Sequence, residues 1–354
     1  MSEQTLRIID ANLNRTGEGL RLLEDIARLL LNDAALTEQL KVLRHQLIRG
    51  APSFHRQLLQ SRDAAGDVGA SIEVPGEEKE RELPAVLVAN ARRVQEALRT
   101  LEELAKVPGT TPKLDPEKFK QARFSLYTIE QKLLSRLLRQ DKLERISGLY
   151  VIIDTEALKG RSHIEVARQA IGGGARTIQL RDKVQSKKRL LPIAQQLRTL
   201  CTEHAVLFIM NDYLDMALGA DADGLHLGQD DLPLKVARRL LPLGKILGGS
   251  ATNVEQAVKA QSQGADYIAV GAIYATTSKT TTTTPAKVVG LETLRQVRQS
   301  ITTPIVAIGG ITQDNAAEVI AAGADSVAVI SAVLGAESPE EAARQIADSL
   351  ETQR

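Results

Sequence analysis

At residues 148–154 the sequence reads GLYVIID. A short, continuous apolar run rich in β-branched residues and opened by glycine predicts a buried strand rather than a helix. Seven further runs of the same kind follow: RTIQLR (176–181), LFIMND (207–212), GLHLG (224–228), ILGGSA (246–251), YIAVGAI (267–273), PIVAIGG (304–310) and SVAVISA (326–332). Helix-patterned stretches such as SKKRLLPIAQQLRTLCTEH (186–204), VEQAVKAQSQG (254–264) and DNAAEVIAAG (314–323) separate most of them. Eight strands alternating with helices over roughly 200 residues is the count of a compact (β/α)8 barrel. A doubly wound open sheet is the competitor. Polar residues cluster after nearly every strand, however, which suits a ring of loops around one mouth.

Upstream of Gly148 the pattern is helical almost throughout. Leu20, Leu23, Ile26, Ala27 and Leu30 recur at spacings of three and four, as one buried helical face requires. The segment ANLNRTGEGLRLLEDIA (11–27) aligns without a gap to ANARRVQEALRTLEELA (89–105), pairing Asn12 with Asn90, Glu18 with Glu96, Leu20-Arg21 with Leu98-Arg99 and Glu24 with Glu102. Each copy is followed by a second helical stretch, so a duplicated helical hairpin is expected. The repeated charges are expected to form a solvated face with i, i+3 and i, i+4 ion pairs, a ligand-lining role being the alternative. His45 and His55 fit no metal-ligand spacing. Residues 61–82, rich in glycine and charge, read as a loop. The predicted fold class is therefore α/β: a C-terminal (β/α)8 TIM barrel (146–354) preceded by an all-α helical bundle domain (1–145).

The 354 residues suffice for two cores, and 43% hydrophobic with 25% charged residues is ordinary for a soluble globular chain. A net charge of +1 with dispersed lysines and arginines, no tryptophan and 3% aromatic residues argues against a nucleic-acid partner or an anionic membrane surface. The single cysteine, Cys201, lies between a helical pattern and a strand and is expected to be a buried structural thiol. Neither a signal pattern nor a membrane-spanning run is present, so a cytoplasmic location is expected.

Residues just beyond each barrel strand face a common cavity. Those positions hold Gln179, Arg181, Asp182 and Lys183 after the second strand, and Asn211 and Asp212 after the third. His226 and Asp231 come from the fourth, Ser250 from the fifth and Thr276–Lys279 from the sixth. Gly309-Gly310 and Ile330-Ser331 close the seventh and eighth. Cations alone would suit a phosphate; carboxylates among them make sense if a divalent cation joins the two. Mg²⁺ takes one or two carboxylates and completes its octahedron with water and phosphate oxygens. Asp212 and Asp231 are the expected ligands, helix capping being their alternative role. The glycine pair and Ile330-Ser331 suit a second, monophosphate site.

Taken together and in order, QLRDK (179–183), ND (211–212), HLGQDD (226–231), GGSA (248–251), TTSK (276–279), VAIGGI (306–311) and VIS (329–331) resemble the thiamine-phosphate synthase family over about 148–354. The resemblance implies condensation of a pyrimidine diphosphate with a thiazole phosphate, giving thiamine phosphate and pyrophosphate. It implies that Gln179, Leu180, Arg181, Asp182, Lys183, Asn211, Ser250 and Lys279 hold the pyrimidine diphosphate. Thr276, Thr277, Ser278, Gly310, Ile330 and Ser331 would hold the thiazole phosphate. Asp212 and Asp231 would ligate Mg²⁺, and Arg181, Lys183, Lys279 and Ser250 would carry the catalysis. In the family's dissociative mechanism pyrophosphate leaves first and the thiazole nitrogen attacks the resulting pyrimidine methyl cation. Thr276–Lys279 are expected to be the ligand-holding part of a lid, and Thr280–Thr284 its hinge. His226 is expected to pack in the barrel interior. Rival readings are a thiazole tautomerase-like barrel, which needs no carboxylate pair, and a non-catalytic thiamine-phosphate sensor. The expected partners are small phosphorylated substrates and a second copy of the chain; the helical domain could set assembly, tether a pathway enzyme or bind a ligand.

Overall fold

The computed structural model describes residues 2–48, 52–63, 66, 81–108, 114–276 and 288–351. Thr277, Ser278, Lys279 and the Thr280–Thr284 run lie outside the described residues, as does most of the 61–82 loop. The chain divides into two compact units between Leu138 and Arg139.

The first unit is built from α1 (Glu3–Asp25), α2 (Ala34–Ile48), α3 (Pro52–Gln60), α4 (Leu83–Leu104) and α5 (Pro116–Leu137), with a π-helical turn at Ile26–Leu30. Local signals start the helices: Ser2 caps α1 through Thr5 N–H at 3.2 Å, and Asp115 caps α5 through Glu117 N–H at 3.0 Å, ahead of Pro116. The two sequence copies, α1 and α4, pack on each other. A Cβ at Gly19 would fall 2.4 Å from the Val94 side chain, so glycine lets the copies close. Leu20, Leu23, Leu98 and Leu101 are fully buried between them and their partner helices.

Of the repeated glutamates, Glu18 and Glu96 are exposed, as a solvated face requires, whereas Glu24 and Glu102 are not. Glu24 and Glu102 are buried, and each is held by an arginine from the following helix of its hairpin: Arg44 at 2.9 Å and Arg123 at 3.0 Å. The expected i, i+3 pairs (Arg21–Glu24 and Arg99–Glu102) and i, i+4 pairs (Arg21–Asp25 and Arg99–Glu103) do form. The motif of the repeat is therefore a structural ion pair used twice.

The second unit is a closed barrel of eight parallel strands: β1 (Gly148–Asp154), β2 (Ala175–Arg181), β3 (Leu207–Asn211), β4 (Gly224–Leu227), β5 (Ile246–Ala251), β6 (Tyr267–Gly271), β7 (Ile305–Ile308) and β8 (Ser326–Val329). β8 returns to β1 with Val327 opposite Leu149. The strands run in sequence order around the ring, so all eight C-terminal ends share one mouth.

The opposite end is tied by a motif that repeats every two strands. Asp223, Asp266 and Asp325 precede β4, β6 and β8. Each accepts a backbone N–H of the neighbouring odd strand, from Phe208 (3.1 Å), Leu247 (2.9 Å) and Ile305 (2.7 Å). Each also pairs with an arginine of the helix leading into that odd strand: Arg198 (2.8 Å), Arg238 (2.9 Å) and Arg298 (3.1 Å). A short helix, α6 (Gln140–Arg145), uses the oxygens left over. Arg139 Nε lies 3.0 Å from Asp266, and Lys142 lies 3.4 Å from Asp223 while donating to Gly244 O at 2.8 Å. Residues 139–145, placed by sequence with the helical half, thus seal the floor of the barrel unit. No helix among the described residues is long and apolar enough to cross a membrane.

Candidate active site

Strand alternation sends Gln179 and Arg181 of β2 toward the barrel axis and Leu180 outward. The same geometry applies around the ring. A mouth cavity of about 180 Å³ brings together Gln179, Arg181, Lys183, Asn211, Asp212 and Ser250, with Tyr150, His226 and Tyr267 as its floor. A second cavity of about 410 Å³ is lined by Thr276, Gly309, Gly310, Ser331 and their neighbours. Ile308, Ala328 and Ile330 line both cavities. Five of the eight residues expected around the pyrimidine diphosphate line the first cavity, and four of the six expected around the thiazole phosphate line the second.

Leu180 does not line the mouth: its side chain is fully buried in the hydrophobic core. Asp182 is 2% exposed and directed into its own loop. Its carboxylate accepts from Val184 N–H and Gln185 N–H, both at 2.7 Å, from Gln185 Nε2 at 2.9 Å and from Thr155 Oγ1 at 2.6 Å. His163 Nε2 meets the same Thr155 hydroxyl at 2.9 Å. Burial pushes the Asp182 carboxyl up, but these bonds from Thr155, Gln185 and Val184 outweigh it and hold it below the usual carboxylate range. Asp182 shapes the loop that carries Arg181 and Lys183 rather than pointing at a ligand. Thr277, Ser278 and Lys279 lie outside the described residues.

The charged wall is built from pairs. Arg181 bonds to Asp154, the last residue of β1, and Lys183 bonds to Asp212. Asp212 has φ +61°, the left-handed region that costs a non-glycine residue energy and is concentrated at functional sites. Its N–H is tied to His226 O at 2.8 Å. The Asp231 carboxyl lies near enough for it and the Asp212 carboxyl to perturb each other, although Asp231 does not itself line the mouth cavity. Asp231 in turn accepts from Gly228 N–H at 2.7 Å, so it braces its loop as well as facing its partner. Burial and the Asp231 carboxylate together push the Asp212 carboxyl up. Two carboxylates side by side in this way need a shared positive charge, and a divalent cation would serve as the proton otherwise must. Among the described residues no three His, Cys, Asp or Glu side chains converge into a protein cage of the kind zinc prefers. Two carboxylates beside an open, cationic mouth do fit Mg²⁺ that shares its shell with phosphate oxygens.

Sequence reasoning missed three residues here. Asp154 ends β1 and obeys the same strand-end rule as the others. Tyr150 and Tyr267 are buried tyrosines whose hydroxyls meet at 3.1 Å across the barrel. His226 joins them through Nδ1 at 3.1 Å and reaches Ser250 Oγ through Nε2 at 3.0 Å. His226 is thus part of the polar floor, not only packing. The Ser250–His226 pair does not make a nucleophile, because the group orienting the imidazole is a neutral phenol and not a carboxylate. Burial raises both tyrosine pKa values, keeping the phenols protonated.

A parallel (β/α)8 barrel whose mouth joins a cationic, carboxylate-bearing cavity to a glycine-lined one is the equipment of an enzyme that handles small phosphorylated molecules. A family model described as thiamine monophosphate synthase matches residues 149–333, and one described as the ThiD2 family matches 7–132. The chain is 40% identical to a thiamine-phosphate synthase of Thermosynechococcus vestitus over 342 residues, 96% of this chain and 93% of that one. It is 49% identical over 201 residues to a thiamine-phosphate synthase of Methanospirillum hungatei, covering 57% of this chain and 96% of the relative. A solved thiamine phosphate pyrophosphorylase from Pyrococcus furiosus superposes with a TM-score of 0.54 at 40% identity, covering 59% of this chain and 96% of that one. The chain belongs to the thiamine-phosphate synthase family, transferases of thiamine biosynthesis, and carries an additional N-terminal helical unit.

Proposed function

We propose that the chain condenses 4-amino-2-methyl-5-pyrimidinylmethyl diphosphate with thiazole phosphate, giving thiamine phosphate and pyrophosphate by a dissociative, Mg²⁺-assisted route. The observation that carries this reading is the cavity wall on which Lys183 meets Asp212 beside Arg181, with Asp231 close behind Asp212 though not itself a lining residue. A reaction that begins with loss of a diphosphate needs positive charge at the departing oxygens, and neither a protein nucleophile nor a strong base. Arg181 and Lys183 supply that charge from the rim, and Lys279 is proposed to add to it from the loop after β6. Asp154 and Asp212 orient the two described cations until a diphosphate competes for them.

Mg²⁺ held by Asp212 and Asp231 would neutralise charge on the leaving group. The pyrimidine ring is proposed to lie over the Tyr150–Tyr267 floor with Ser250 and Asn211 at its edge. The second cavity, with Gly310, Ile330 and Ser331, is proposed to hold the thiazole phosphate through backbone N–H groups. Because the two cavities share Ile308, Ala328 and Ile330, the thiazole nitrogen and the pyrimidine methylene can meet without either phosphate leaving its site.

The test is to supply both phosphorylated substrates with Mg²⁺ and follow pyrophosphate and thiamine phosphate together. Equal amounts of the two, formed only when both substrates are present, support the reading. Conversion of the thiazole phosphate alone would instead indicate tautomerase chemistry, and binding without turnover a sensor.

A further inference from the structure

Five side chains from five strands form one hydrogen-bonded relay beneath the mouth cavity. Gln179 Nε2 donates to Tyr150 Oη at 2.9 Å, and Tyr150 Oη lies 3.1 Å from Tyr267 Oη. Tyr267 Oη lies 3.1 Å from His226 Nδ1, and His226 Nε2 lies 3.0 Å from Ser250 Oγ. The imidazole also stacks on the Tyr267 ring, with centroids 5.5 Å apart. The backbone is cut to fit. A Cβ at Gly248 would fall 2.1 Å from Tyr267 Cζ and 2.6 Å from His226 Nδ1, so any side chain there would occupy the contact between the two rings.

The direction of the relay follows from where each hydrogen can go. The Tyr150 oxygen already receives an N–H from Gln179, and its own hydrogen finds an acceptor in Tyr267 Oη. The Tyr267 hydrogen then passes to His226 Nδ1, which leaves Nε2 protonated and donating to Ser250 Oγ. With the Gln179 amide donating through Nε2, the opposite direction would leave the Tyr150 hydrogen, on a residue that is 1% exposed, with no acceptor in the relay, the kind of buried unsatisfied donor folded proteins avoid. At the far end, the Ser250 hydrogen is left to point into the cavity that Ser250 lines.

We propose that this relay makes Ser250 an obligate hydrogen-bond donor to the ring of the pyrimidine substrate, with Tyr150, Tyr267 and His226 as positioning residues that set ring selectivity. The inference rests on the functional reading above. A 4-aminopyrimidine presents a lone pair on the ring nitrogen beside the amino-bearing carbon, and accepts from Ser250. Its 4-oxo counterpart carries a hydrogen on that nitrogen, so two donors would face each other. The relay thereby selects the amino ring through the direction of its hydrogens, without any residue change at the point of contact.

The experiment uses the full chain labelled with ¹⁵N-histidine, with His226 assigned by the signal lost in His226→Asn. Neutral His226 protonated at Nε2 is expected; protonation at Nδ1 would overturn the proposal. Tyr267→Phe keeps the ring and its stacking while removing the donor to Nδ1. In that variant the His226 tautomer signature is expected to change. KM for the pyrimidine diphosphate should rise about tenfold, and preference for the 4-amino over the 4-oxo ring should fall by a similar factor. An unchanged tautomer together with unchanged selectivity would also overturn it. Absence of synthase activity in the unaltered chain would sink the functional reading instead, and the tautomer measurement would stand apart from it.

Discussion

The Lys183 ammonium is hydrogen-bonded to the carboxylate of Asp212, a residue with left-handed backbone whose carboxyl is also pushed up by nearby Asp231. Without a substrate, the cation and the two carboxylates satisfy one another. In the proposed reaction Asp212 and Asp231 would hold Mg²⁺, which would supply positive charge at the leaving group, and Lys183 would be freed to bind phosphate oxygens. The charges are thus arranged before the ligand arrives.

Asp212→Ala is expected to lower kcat by about a hundredfold or more, while the Mg²⁺ needed for half-maximal activity rises. Circular dichroism should show the fold intact, since the carboxylate lies at the rim and not in the core. Near-normal pyrophosphate release would remove Asp212 from the site.

Lys279→Ala should also cost about a hundredfold in kcat, as removal of one charge-stabilising group commonly does. The expectation comes from the TTSK motif, since Lys279 lies outside the described residues. Steady-state kinetics with saturating Mg²⁺ is the check, and an unchanged kcat would confine catalysis to Arg181 and Lys183.

Asp182 gives a pH expectation. Its folded carboxyl titrates below the ordinary range, so the order it confers is fully present above its unfolded pKa of about 4 and is lost as pH falls through the lower folded value. Protection of the Val184 and Gln185 amides, taken relative to their intrinsic exchange rates, should fall in that acid window. In Asp182→Ala those amides should exchange readily at neutral pH too, and protection surviving the substitution would contradict the assignment.

The barrel floor sets where the catalytic unit begins. A truncated chain starting at Ile146 loses Arg139–Asp266 and Lys142–Asp223, whereas one starting at Arg139 keeps both. Both aspartates keep their own arginines, so losing the second partners costs less than a stranded buried charge, about 1–2 kcal/mol, and the shorter chain should melt about 2–6 °C lower by calorimetry. Equal melting temperatures would show that α6 is dispensable. The Methanospirillum relative, matched over 96% of its own length by 57% of this chain, makes a self-standing barrel a reasonable unit to test.

Cys201 is fully buried, and burial pushes its thiol up to about 12. It should resist alkylation at neutral pH in the folded chain and react on unfolding; rapid labelling of the native protein would contradict this.

Most of the fold was legible because apolar runs such as GLYVIID and PIVAIGG are too short for helices and end in polar residues. The mouth was legible for the same reason: the strand-end rule reached Arg181, Lys183, Asn211, Asp212 and Ser250 with no knowledge of register. It would have reached Asp154 had it been applied to β1. The rule could not tell Asp182, which turns back into its loop, from Arg181 and Lys183 on either side. Only the positions of Thr155 and the Val184 and Gln185 amides decide that. Nor could it show that Tyr150 and Tyr267, inward residues on strands far apart in sequence, meet across the barrel, or that Gly248 makes room for Tyr267 against His226. The buried Glu24–Arg44 and Glu102–Arg123 pairs were hidden similarly, because helical spacing displays i, i+4 neighbours and not the partner on the next helix.

The central claim is that a divalent cation joins Asp212 and Asp231 to the departing diphosphate. Crystals grown with Mn²⁺ in place of Mg²⁺ and an unreactive pyrimidine diphosphate analogue, measured for anomalous scattering, test it most directly. The account predicts a peak bridging both carboxylates and the diphosphate oxygens, with Lys183 moved from Asp212 to phosphate. A bound analogue with no metal at those two side chains would contradict it.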